Sequence, residues 1–166
     1  MDLVKGKKGL IMGVANERSI AWGISKKLAE NGAELAFTYF GDALKKRVTP
    51  LAGSINSKFL LNCNVENKED IVKTFQEVKS KWNEIDFVVH AIAFSDRAEL
   101  SGQYIDTSRE NFTKSMLVSC FSFTEVAKDE VPRQQRVIIG CPSRRNKRRQ
   151  RLNAIQTTAQ GDCALQ

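Results

Sequence analysis

"GLIMGVANERSIAWG", residues 9–23, decides how the rest of the chain is read. A short apolar strand, Gly9–Met12, runs through Gly13 into a polar turn. Ser19 then opens an amphipathic helix to about Asn31, with Ile20, Trp22, Ile24, Leu28 and Ala29 on one side. A strand, a glycine turn and a helix N-terminus in that order can hold a phosphate. The glycine lets the backbone approach, and the first helical amides point outward. The full GxGxxG is absent, however, since from residue 13 to residue 23 only Gly13 and Gly23 are present. Taken alone, the loop is equally a strand end followed by a capped helix.

Outward from this stretch, strand and helix alternate. Glu34–Tyr39 reads as a second strand, with a helix from about Asp42 to Ala52 behind it. Lys58–Cys63 is a third strand. Asn67 can cap a helix over Lys68–Trp82, whose Ile71, Phe75, Val78 and Trp82 recur at three and four residues. Phe87–Ala91 is a fourth strand, and a polar stretch at 95–106 leads to a long helix around Arg109–Lys128. Short, fully apolar strands alternating with helices imply a parallel sheet covered on both faces. The expected fold is α/β, a doubly wound Rossmann-like sheet of at least four strands with an incomplete C-terminal half.

The chain has 166 residues, enough for one domain and a sizeable core. No apolar run is long enough for a membrane span, and the N-terminus does not read as a signal peptide. Four cysteines without CxxC spacing and a single histidine argue against a metal site and for reduced thiols in the cytoplasm. The net charge of +7 is unevenly spread. Residues 1–128 carry 18 Lys+Arg against 16 Asp+Glu, whereas residues 129–166 carry 8 against 3. Basic residues also change from mostly lysine to mostly arginine at that point. The sequence therefore divides into a Rossmann-like part, 1–128, and an Arg-rich tail, 129–166, foreign to the fold.

In a doubly wound sheet, ligands bind beyond the carboxyl ends of the strands. Gly13 and Ser19 are there, as are Asn64 and Val65, which could offer polar groups beside an adenine. After the fourth strand, Ala91-Ile92-Ala93-Phe94 is small and apolar enough to approach a ribose or nicotinamide. His90, within an apolar strand, reads as a core or hydrogen-bonded histidine in preference to an acid–base group.

Lys7–Gly23, "GAELAFTY" (32–39), "LKKRV" (44–48), "CNVENKEDI" (63–71) and "FVVHAIAFSDRAELSGQYIDTSRENF" (87–112) resemble bacterial enoyl-acyl-carrier-protein reductase, a short-chain dehydrogenase/reductase lacking the usual glycine pattern. The resemblance runs from about residue 4 to residue 128. It implies NADH-dependent reduction of the trans-2 double bond of acyl-carrier-protein-bound enoyl chains in fatty-acid elongation, by a homotetramer when intact. By the same resemblance, Gly13, Ser19 and Ile20 hold the pyrophosphate and adjoining ribose. Phe40, Asn64 and Val65 lie at the adenine, Ile92 beside the nicotinamide ribose, and Ser95 at an edge of the acyl pocket. Phe40 stands where a glutamine is usual and Asn64 where an aspartate is usual. No acidic residue marks the end of the second strand, and Lys45, Lys46 and Arg47 follow, so NADPH stays open beside NADH.

The resemblance also implies a tyrosine that hydrogen-bonds the thioester oxygen, with a lysine about two helical turns on. Both tyrosines of this chain, Tyr39 and Tyr104, lie upstream, and the tail's one lysine, Lys147, has no such partner. No catalytic residue is assigned. The catalytic pair would follow a fifth strand, at about residues 145–165. The later strand and the substrate-covering loop are expected to be missing, and the chain is read as an inactive fragment. A frame change near residue 129 accounts for the tail: Ile155-Gln156-Thr157-Thr158 can be encoded so that a shifted frame reads Pro-Asn-Tyr. The alternative is a non-catalytic nucleotide-binding module whose basic arm, 142–151, recruits a nucleic acid or an acidic partner. Nucleic acid is disfavoured because no aromatic residue is interleaved for base stacking.

Overall fold

The computed structural model of the chain describes residues 3–129 and 137–140. The expected catalytic region, the basic arm and the cysteines at 141 and 163 fall outside the described residues. Five parallel strands form one sheet: β1 (Lys8–Met12), β2 (Glu34–Tyr39), β3 (Phe59–Asn62), β4 (Phe87–His90) and β5 (Val137–Gly140), in the order β3-β2-β1-β4-β5. Helices α1 (Ile20–Glu30), α2 (Gly41–Ser54) and α3 (Lys68–Trp82) make the crossovers. Between β4 and β5 run α4 (Arg109–Met116), a π-helical turn (Leu117–Phe121) and α5 (Ser122–Asp129).

The period-two alternation of the strands divides the core between the two faces. Leu10, Met12, Ala36, Leu61 and Val88 meet Phe75 and Val78 of α3 and Val126 of α5. On the other face Ile11, Phe37 and Val89 meet Trp22 of α1 and Val48 and Ala52 of α2. Asn67 caps α3 as its sequence position implies, accepting from the Glu69 amide at 2.9 Å.

β5 falls within the stretch expected to be foreign to the fold. Val137–Ile139 is a β-branched run, and its backbone pairs with Phe87–Val89 of β4. The arginines around this run dominate its charge composition and mask the run itself. The long helix after residue 109 also differs, because the π turn interrupts it.

The sheet order reverses between β1 and β4, so the loops leaving these two strands diverge and open a crevice at the carboxyl end. β1 and β4 are drawn together by Gly9, whose missing Cβ would lie 2.0 Å from the Phe87 ring.

Candidate functional site

A cleft of about 540 Å³ occupies this crevice, a size typical of small-molecule sites. Gly13 lines it with φ +100°, and a Cβ there would come within 2.2 Å of the Ala91 carbonyl oxygen. The glycine is thus required by both the turn and the neighbouring strand end. Gly23 is not required in this way: no atom lies within 4 Å of the Cβ it lacks.

Ser19 is the N-cap residue of α1, but its hydroxyl makes no side-chain cap. It turns back into the loop instead, accepting from the amides of Ala15 (3.3 Å) and Asn16 (3.4 Å) and donating to the Asn16 carbonyl. The Ser19 carbonyl accepts from Trp22 and Gly23, which leaves the Ile20 and Ala21 amides without an acceptor among the described residues. The first turn of α1 has no acidic residue, and Arg18 lines the same wall. This end of the cleft therefore favours an anion through amides, helix dipole and a cation together.

At the other end, Phe40 is the N-cap residue of α2 and stays 54 % exposed, offering an aromatic face. Asn64 also lines the cleft. Its amide donates to Asp70 (3.1 Å) and its Oδ1 accepts from the Glu66 amide (3.1 Å). Val65 turns its side chain into the core, so its main chain is the part it offers the cleft. Ile92 lines the cleft beyond β4 and packs partly on the core.

Gly13, Ser19, Ile20, Phe40, Asn64, Val65 and Ile92 thus all line one cleft. Ser95 is not among its lining residues. Its Oγ accepts from Asn111 Nδ2 at 3.3 Å, within a network in which Asn111 also bonds the Asp96 amide and Glu99. His90 is buried behind the cleft, its Nε2 2.9 Å from Ser122 Oγ. The Ser122 proton goes to the Val118 carbonyl (2.7 Å), so the imidazole is the donor. Burial pushes its pKa down to about 4, leaving it neutral near pH 7. This is the structural role that its apolar strand implied.

Sequence reasoning missed two features of the site. Lys114 of α4 reaches across to Glu66 at 3.0 Å and lies over the Phe94 ring at 4.9 Å. Ser119, in the π turn, bonds both the amide (3.0 Å) and the carbonyl (3.3 Å) of Phe94. Each joins residues far apart in sequence through single polar contacts, which carry no periodic signal. No group of three or more metal-ligating residues occurs among the described residues, nor any helix long and apolar enough to cross a membrane.

A family model described as enoyl-(acyl carrier protein) reductase matches residues 13–140. The chain belongs to that family. The match reaches twelve residues past the resemblance seen in the sequence and takes in β5. Among curated relatives, enoyl-[acyl-carrier-protein] reductase [NADH] 2 of Rhizobium meliloti is 60 % identical over 126 residues, covering 76 % of this chain and 47 % of the relative. The Rickettsia bellii enzyme FabI is 48 % identical over 127 residues, covering 76 % and 48 %. The chain therefore spans about half the length of the curated relatives it matches. Of solved structures, FabI from Candidatus Liberibacter asiaticus superposes with a TM-score of 0.84 at 43 % identity, covering 95 % of this chain and 64 % of that one. The Anaplasma phagocytophilum reductase in complex with NAD gives 0.73 at 49 % identity, covering 77 % and 49 %.

Proposed function

We propose that the chain carries the NADH-binding half of an enoyl-acyl-carrier-protein reductase. The observation that carries this reading is that the seven residues named by the resemblance all line one cleft at the sheet's switch point. The residues fit the cofactor. Ser19 shapes the loop so that the Ile20 and Ala21 amides face a pyrophosphate, and Phe40 supplies a stacking face for the adenine. Asn64 and the Val65 main chain meet the adenine edge, and Ile92 borders the nicotinamide ribose. Relatives named as NADH-dependent, and one solved in complex with NAD, support the choice of NADH. In the intact enzyme, the bound cofactor would supply hydride to the enoyl double bond of an acyl-carrier-protein thioester in the cytoplasm. The charge developing on the thioester oxygen then needs a donor. Tyr39 lines the adenine end and Tyr104 lies in the polar loop, so neither serves.

The proposal for this chain is therefore binding without turnover. It includes an out-of-frame origin for the tail, through a frame change near residue 129. The homotetramer implied for intact members is not proposed for this chain.

Titration with NADH, followed by the reduced nicotinamide's fluorescence, is expected to saturate. NADH oxidation with an enoyl thioester is expected to stay at background. Absence of binding overturns the cofactor reading, and robust turnover overturns the missing-donor argument. Reading the nucleotide sequence in all three frames tests the tail. A tyrosine followed by its lysine partner in neither alternative frame would rule the frame change out.

A further inference from the structure

The base end of the cleft carries a side chain whose two lobes are not equivalent. Asn64 Oδ1 accepts from the Glu66 amide at 3.1 Å, closing a local Asx turn. Turning the carboxamide over would set Nδ2 against that same N–H, two donors face to face. The orientation is therefore fixed by the turn, with or without a ligand. The remaining lobe, Nδ2, donates to no acceptor among the described residues, and Asn64 lines the cleft. Beside it, the Val65 main-chain N–H also lacks an acceptor among the described residues. The edge offered to a purine is thus donor beside donor. An aspartate at position 64 would make the same turn with one oxygen and offer the other as an acceptor beside the Val65 donor.

The two purines of interest read these edges differently. Adenine presents an exocyclic amino donor beside the N1 acceptor, and hypoxanthine presents a carbonyl acceptor beside an N1–H donor. Against acceptor-beside-donor, adenine matches at both positions and hypoxanthine at neither. Against donor-beside-donor, each base makes one match and one mismatch. We propose that Asn64 removes the discrimination between adenine and hypoxanthine at the base end of this cleft. The inference rests on the reading of the cleft as the NADH site.

The test compares NADH with reduced nicotinamide hypoxanthine dinucleotide by fluorescence titration of the whole chain. The two Kd values are expected to lie within about threefold of each other, since each complex keeps one directional bond and loses one. Asn64→Asp is expected to move the ratio about tenfold or more towards NADH. This variant sets a carboxylate near Glu66 and Asp70, so its folding is checked by circular dichroism. Asn64→Ala, which leaves only the Val65 donor, moves the ratio in the same direction without adding charge. A tenfold or so preference of the unmodified chain for NADH overturns the inference, as does a ratio that neither variant moves. Either result leaves the NADH reading standing. If neither dinucleotide binds, both fall.

Discussion

The two ends of the parallel sheet treat their polar groups in opposite ways. At the amino end, Asp86 accepts from Lys7 Nζ (2.6 Å) and from the Lys8 amide (2.8 Å), and the Gly6 and Glu34 amides find the Gly32 and Lys7 carbonyls. Burial alone would raise the Asp86 pKa, but the lysine and amide bonds outweigh it and hold the carboxyl below its usual range. Donors there are matched to acceptors within the chain. At the carboxyl end, the amides of Ile20, Ala21 and Val65 and the Asn64 Nδ2 have no acceptor among the described residues. One end is built to hold the strands together, the other to receive something from outside. These unsatisfied donors among the described residues lie where a ligand can complete them.

Substitutions at the two ends should separate these roles. The largest effect is expected from Gly13→Ala, which places a methyl 2.2 Å from the Ala91 carbonyl oxygen in a left-handed conformation. A loss of about 3 kcal/mol or more in urea unfolding is expected, with NADH binding abolished. Retained binding would show that the two strand ends are not held at the observed spacing.

His90 comes next and is tested through pH. Its pKa is about 4 when folded against 6.5 unfolded, so between these values the unfolded chain binds the extra proton. Its contribution is full above about pH 6.5 and is lost as pH falls towards 4, amounting to about 3 kcal/mol across the window. In His90→Gln, the unfolding free energy should fall less steeply over that range. An unchanged slope would assign the acid sensitivity to other groups.

Ser19→Ala should sharpen the contrast from the ligand side. It releases the Ala15–Asn16 loop and is expected to weaken NADH about tenfold by titration, while costing about 1 kcal/mol of stability. The smallest effect belongs to Lys7→Met at the amino end. This exposed pair is worth less than about 1 kcal/mol in unfolding, and NADH affinity should not change. An affinity change at Lys7 would blur the division between the two ends.

Much of this contrast is legible in the sequence because strand ends announce themselves. Glu34–Tyr39 has the same bounds in sequence and structure, and the other strands of the first four agree to within a residue at each end, since short apolar runs ended by glycine or polar residues leave little freedom. The lining of the cleft is legible too, because residues just past a parallel strand share one edge of the sheet. β5 is obscured by its arginine-rich surroundings. Lys114–Glu66 and the Ser119 clamp on Phe94 join residues far apart in sequence through single polar contacts, which carry no periodicity. Resemblance assigns Ser95 to the pocket edge, while its hydroxyl is taken up by Asn111.

The π turn at Leu117–Phe121 implies that the chain joins α4 to α5 with a surplus residue, looped out without rotating the helix beyond it. Upstream, Asn111 keeps facing the 95–99 loop, with the Ser115 hydroxyl on its side chain; downstream, Ser122 still reaches His90 and Val126 still enters the core. Deleting one residue from the turn would leave those two registers aligned and straighten the helix between them. The casualty would be the bulge that carries Val118 to the cleft wall and the core and Ser119 to the Phe94 backbone, so one extra residue of length here serves the site and not the span between the two helices.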